Sequence, residues 1–154
     1  MMNKQKHKNI SNQEYDNIKL KLDKIDVGEA KLNPTKFEKT FQVIHAVGPN
    51  GIILGEEEYW KKLEKTFESI SKVLDTIKLN SDYEIRLPMI SSDIYKPTQY
   101  KDEDFYPLYF QKITQYINKY LKKYDGHIVL GVFKNKEKNY FKNFKNLNRF
   151  KYSN

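Results

Sequence analysis

Cysteine is absent from the 154 residues, which removes disulfides, zinc–thiolate sites and thiol catalysis together. Such a chain suits a reducing compartment and is read as cytoplasmic. Long apolar runs are missing too: no stretch approaches the ~18 residues of a membrane span. The basic start, Met1–Lys8, is not followed by an apolar segment, so it does not read as a secretory signal. Hydrophobic residues reach only 38%, yet aromatics make up 14%, with 12 Tyr and 9 Phe, so the core should be built from rings as well as aliphatics. The length suffices for one domain and is short for two. Acids are the scarcer charge, 20 against 28 Lys and Arg, leaving a net charge of +8.

That surplus sits at the two ends. Lys4, Lys6 and Lys8 crowd the N-terminus, and from Phe133 onward seven basic residues face one acid, Glu137. The basic tail is interleaved with Tyr140, Phe141, Phe144 and Phe150, a pattern able to attract phosphates. A lysine-rich face that solvates a terminal helix explains the same residues, and composition alone discriminates poorly between the two.

Residues 1–12 are polar, charged and without periodicity, and read as a disordered basic N-terminus ahead of one domain over 13–154. Ser11 is placed to cap a helix over Asn12–Lys24, and Gly28–Leu32 reads as a short strand. Phe41–Val47 is mostly apolar and ends at Gly48-Pro49, a buried strand closed by a tight turn. Trp60, Leu63, Phe67, Ile70, Leu74 and Ile77 recur at steps of three and four, predicting a helix over 56–78 with Glu56, Glu57 and Glu58 at its N-terminus. Tyr83–Ile90 predicts a second strand. A second helix over 103–124 follows, stopped by Asp125-Gly126; then come a strand at His127–Phe133 and a last helix over Lys136–Phe150. Amphipathic helices alternating with short apolar strands predict βαβ crossovers. The strands near 41–47, 84–90 and 127–133 are expected side by side in one mainly parallel sheet. Ligands of such sheets bind beyond the carboxyl ends of the strands, which singles out the loops after Val47, Ile90 and Phe133.

Three blocks carry a family resemblance. Gly28-Glu29-Ala30 precedes Val43-Ile-His-Ala-Val-Gly-Pro49, and Pro88-Met-Ile-Ser-Ser-Asp-Ile-Tyr95 follows after the long helix. Their order and spacing resemble the macro domain, the ADP-ribose-binding fold, over about Asp26 to Phe144. The last block is similar to the family's Pro-Ala-Ile-Ser-Thr-Gly-Ile-Tyr loop. The resemblance implies a three-layer α/β/α domain with a mostly parallel sheet and a cleft for ADP-ribose. It further implies that Ser91, Ser92, Asp93, Ile94 and Tyr95 line the phosphate and proximal ribose. Phe133 would stand near the adenine, unless it is a core residue at a strand end.

Two departures qualify that picture. The family's early strand, Asn-Ala-Ala-Asn segment and Gly-rich loop have no counterpart in the residues before Gly28, so the domain reads as N-terminally truncated. Asp93 stands where the family has glycine, bringing a carboxylate to a diphosphate loop. The expected function is therefore that of a degenerate macro domain that either binds ADP-ribose, a related nucleotide diphosphate or an ADP-ribosylated protein weakly or has lost binding. ADP-ribosyl hydrolysis ranks lower, because the segments that hydrolytic members use are the missing ones. A basic nucleic-acid-binding or scaffold protein is the competing reading on charge. A truncated sheet also predicts self-association, or coverage of the bared region by residues 12–25.

No strong catalytic constellation is visible, and no cofactor is implied. His45 lies within an apolar strand and reads as a satisfied core histidine, and neither it nor His127 has metal-ligand spacing. Ser91 and Ser92 have no evident nucleophile-activating partners.

Overall fold

The strands fall into two groups in a computed structural model that describes residues 24–34, 36, 41–132, 134–142 and 151–153. β1 (Ala30–Leu32) pairs antiparallel with β2 (Ile44–Ala46), Ala30 opposite Ala46 and Leu32 opposite Ile44. The Gly28 N–H donates to the Val47 carbonyl at 2.7 Å and the Asn33 N–H to the Val43 carbonyl at 2.8 Å, extending the pairing at both ends. The second group is parallel throughout: β3 (Ile85–Pro88), β4 (Ile128–Gly131) and β5 (Lys151–Ser153), in the order β3-β4-β5. Helix α1 (Glu56–Leu74) connects β2 to β3, α2 (Asp102–Tyr120) connects β3 to β4, and α3 (Asn135–Lys142) lies between β4 and β5. Parallel neighbours require such crossovers, so the α/β expectation holds, with a small sheet.

One expectation needs correction. Segment 84–90 does contribute a parallel neighbour of segment 127–133, but segment 41–47 does not share their sheet. Its strand satisfies its backbone against β1 instead. A cavity of about 690 Å³ opens between the two groups, with Val43 and Ile44 on one side, Ile85, Leu87 and Pro88 on the other, and Ile70 and Leu74 of α1 and Ile77 just beyond its end lining it too. Local apolar character marks a strand but does not name its neighbour.

Packing follows the predicted stripes. Tyr59, Trp60, Leu63, Phe67, Ile70 and Leu74 are buried along α1, whose first turn carries the three glutamates. Burying such side chains contributes roughly 1.5–3 kcal/mol each relative to exposure. Helix α2 is the aromatic one: Phe105, Tyr106, Tyr109, Phe110 and Tyr116 are all buried. Rings join the helices: Trp60 stacks on Phe105 at 6.0 Å, and Tyr106 on Tyr140 of α3 at 5.1 Å. The wealth of tyrosine and phenylalanine in the sequence thus becomes the seam between the three helices.

Boundaries differ in detail. Helix α1 ends at Leu74 and α2 at Tyr120, where a 3₁₀ turn, Lys122–Tyr124, continues to Gly126 at φ 86°. Asp102, Glu103 and Asp104 occupy the first turn of α2, while Lys101 precedes it without a side-chain cap. Strand β5 was not expected, because Lys151-Tyr-Ser153 is too short to show an alternating pattern. Residues 12–23 of the expected N-terminal helix, the disordered start and Phe133 lie outside the described residues, as do 143–150 of the last expected helix. Among the described residues no helix is long and apolar enough to cross a membrane.

Candidate functional site

Three loops meet at the carboxyl ends of β2, β3 and β4. Glycines let the first two touch. A Cβ at Gly48 would collide with the Ser91 side chain and Ile90, and one at Gly51 with the backbone of Lys96 and Pro97. The Gly51 N–H donates to the Tyr95 carbonyl at 2.7 Å across this contact. The third loop arrives with the start of α3, which brings Lys134, Lys136 and Glu137 to the segment 91–95.

Segment 91–95 is held from behind by tyrosines. Tyr109 donates its hydroxyl to the Ile90 carbonyl at 2.8 Å and Tyr59 to the Ser91 carbonyl at 2.5 Å. Burial pushes both phenols well above their ordinary pKa, so they remain protonated donors. Ser92 Oγ stands 2.9 Å from Glu137 Oε2 and 3.0 Å from the Met89 carbonyl, and its single proton serves one of them at a time. Glu137 also accepts from the Tyr106 hydroxyl at 3.1 Å and is 5% exposed. A buried carboxylate with two hydroxyl partners is satisfied, and here it fixes Ser92 in place.

The backbone of this segment is unusual. Ser91 has φ 61° and Asp93 φ 57°, the described residues other than glycine with positive φ. Ser91 is buried, and Asp93–Tyr95 form one 3₁₀ turn. Among the described residues, the N–H groups of Ser91, Asp93 and Ile94 donate to no carbonyl. Ile94 and Tyr95 are exposed, as are Ile52 and Ile53, which follow Gly51. Among the described residues, most of the exposed large apolar side chains therefore flank the contact between the first two loops.

Charge on this face is paired rather than bare. Lys134 and Lys136 both bind the Asp93 carboxylate, Lys136 at 2.9 Å. Lys136 also reaches Asp102 at 3.2 Å, and Lys96 reaches Asp102 at 3.3 Å. Burial would raise the Asp102 carboxyl, but the hydrogen bonds from Lys136 and Lys96 outweigh it and hold the group below its ordinary value.

Of the residues singled out from the sequence, Ser91, Ser92, Asp93, Ile94 and Tyr95 thus form one continuous structure, while Phe133 lies outside the described residues. Gly51, Tyr59, Tyr109, Lys134, Lys136 and Glu137 were missed as parts of it. The sequence leaves the lysines as a basic tail able to attract phosphates or to solvate a terminal helix; Glu137, the one acid among seven basic residues, was the available signal. His45 is the satisfied core histidine expected, 8% exposed with its Nε2 3.4 Å from Asn33 Oδ1. His127 stacks on Tyr83, with Nδ1 2.9 Å from the Tyr83 carbonyl. Among the described residues no group of His, Asp and Glu is arranged to hold a metal ion.

A family model described as Macro domain matches residues 5–102, well over half of the chain. The matched stretch takes in the blocks at 28–30, 43–49 and 88–95, begins ahead of Gly28, and ends as α2 begins. No curated protein matches the chain.

Proposed function

The chain belongs to the macro domain family, whose members bind ADP-ribose or related ligands, and we propose on that footing that segment 91–95 receives the diphosphate of such a ligand. The observation that carries this reading is the backbone of the segment. Left-handed φ at Ser91 and Asp93 goes with three neighbouring N–H groups that donate to no carbonyl among the described residues. Free main-chain donors on a tethered loop suit phosphate oxygens, because they offer directed hydrogen bonds without side-chain ordering. Ile94 and Tyr95 supply apolar surface beside it for a ribose.

Binding is weak, and the ligand is free ADP-ribose, a related nucleotide diphosphate or the same group on a protein. Asp93 lowers affinity by its charge, and the motifs that would complete the cleft are not recognisable before Gly28. The role is recognition rather than hydrolysis. Ser92 is fixed by Glu137 and Met89, and among the described residues neither serine is hydrogen-bonded to a histidine. Titration calorimetry with ADP-ribose tests the reading: saturable 1:1 binding supports it, and heat no larger than that for ribose 5-phosphate removes it. Incubation with a mono-ADP-ribosylated protein should release no ADP-ribose above background.

A further inference from the structure

Asp93 is the residue that fits a diphosphate loop least well, yet it is bound by more cationic groups than a lone surface acid needs. We propose that its carboxylate is an internal anion occupying a phosphate-binding lysine pair, Lys134 and Lys136, and that an organic diphosphate binds by exchanging with it. The inference rests on the reading of segment 91–95 given above and assigns the cations and the control of that site.

Four features support the exchange. Both ammonium groups converge on one carboxylate, and the ion-paired cluster around it joins three lysines (Lys96, Lys134, Lys136) to two aspartates (Asp93, Asp102). Lys136 is kept in place without Asp93, because Asp102 binds it at 3.2 Å and the Tyr106 ring centroid lies 5.9 Å from its Nζ. The lysine ends of the pairs face water: the Lys134 and Lys136 side chains are 55% and 43% exposed, so their attraction to Asp93, itself 18% exposed, is partly screened. Finally, the Asp93 N–H is itself one of the donors that meet no carbonyl among the described residues. A phosphate on that N–H lies within a side chain's length of the Asp93 carboxylate, so the two anions compete for the same lysines. A diphosphate brings more charge and more acceptor oxygens than one carboxylate, and an ammonium re-aims without the fixed geometry of a guanidinium.

The test is calorimetric titration of ADP-ribose at low salt into the full chain, Asp93→Asn, and Asp93→Asn combined with Lys134→Met and Lys136→Met. Asp93→Asn should bind about tenfold more tightly than the wild type, and the triple variant should lose that gain. Equal or weaker binding by Asp93→Asn, with the wild type binding, overturns the exchange and leaves the diphosphate reading standing. A gain retained in the triple variant overturns the assignment of the lysines. No binding by any of the three overturns the diphosphate reading and the exchange with it. If Asp93→Asn does not fold, Lys134→Met/Lys136→Met in the wild-type background replaces it: affinity should fall about tenfold, and unchanged affinity overturns the proposal.

Discussion

Gly51 donates its N–H to the Tyr95 carbonyl across 2.7 Å, and this bond ties the loop after β2 to the loop after β3. Nothing larger than hydrogen fits at Gly51, because a Cβ would strike the backbone of Lys96 and Pro97, which cannot rotate away as a side chain tip can. Gly51→Ala should therefore cost about 1–3 kcal/mol, as overpacking does. Urea unfolding checks this. A change within about 0.5 kcal/mol, the range of ordinary surface substitutions, would mean that the loops are not in contact.

Tyr109→Phe keeps the buried ring and removes only the hydroxyl that serves the Ile90 carbonyl. Leaving a buried carbonyl without its donor should cost about 1–2 kcal/mol, measured by chemical unfolding, with the fold retained. Tyr59→Phe removes the matching bond to Ser91. The two sites share one short stretch of backbone, so the double variant should depart from additivity. Strict additivity would indicate that the two tyrosines tether it independently.

Asp93→Gly separates backbone from charge. Glycine relieves a left-handed residue of about 1 kcal/mol of strain. The substitution also removes two partly exposed ion pairs, each worth about 0–1 kcal/mol. Stability should therefore stay within about 1 kcal/mol of the wild type while ADP-ribose affinity rises. A large loss of stability with flat affinity would make Asp93 a staple between loop and α3 and nothing more.

Acid stability follows from carboxylates that their partners hold below the ordinary value, Glu64, Glu68, Asp75 and Asp102. Hydrogen bonds from Tyr120 and Lys119 lower the Glu64 pKa, and those from Lys123 and Tyr124 lower that of Asp75. Asp102 is also lowered, against its burial, by Lys136 and Lys96. A folded-state pKa below the unfolded one contributes stability that is fully present above the unfolded value and is lost as pH falls through the folded value. Urea midpoints should be flat above about pH 5 and decline below about pH 4. Midpoints that rise on acidification would contradict these pairings.

Periodicity made the helices legible: Trp60 to Leu74 announced α1, and the helix expected over 103–124 is found as α2. Apolar runs bounded by glycine located β2 and β4. What the sequence did not reveal was long-range pairing. Whether Ile44–Ala46 lies against Ala30–Leu32 or against Ile85–Pro88 depends on backbone contacts between distant segments, which a local pattern does not encode. Segment 91–95 was found by its likeness to a family motif and its place after a strand. Its supports escaped notice for a related reason. Tyr59 and Tyr109 look like core aromatics, which they are, and only the fold shows their hydroxyls on the carbonyls of Ser91 and Ile90 respectively. Lys134 and Lys136 look like solvated charges until Asp93, some forty residues earlier, is placed beside them.

The central claim is that the main chain of segment 91–95 meets a diphosphate. The most direct measurement is a titration of the isotope-labelled protein with ADP-ribose at low salt, following backbone amide resonances by NMR. Saturable shifts should be largest at Ser91, Asp93 and Ile94, with smaller ones at Lys134 and Lys136. Shifts absent from Ser91, Asp93 and Ile94, or confined to residues remote from the three loops, would contradict it.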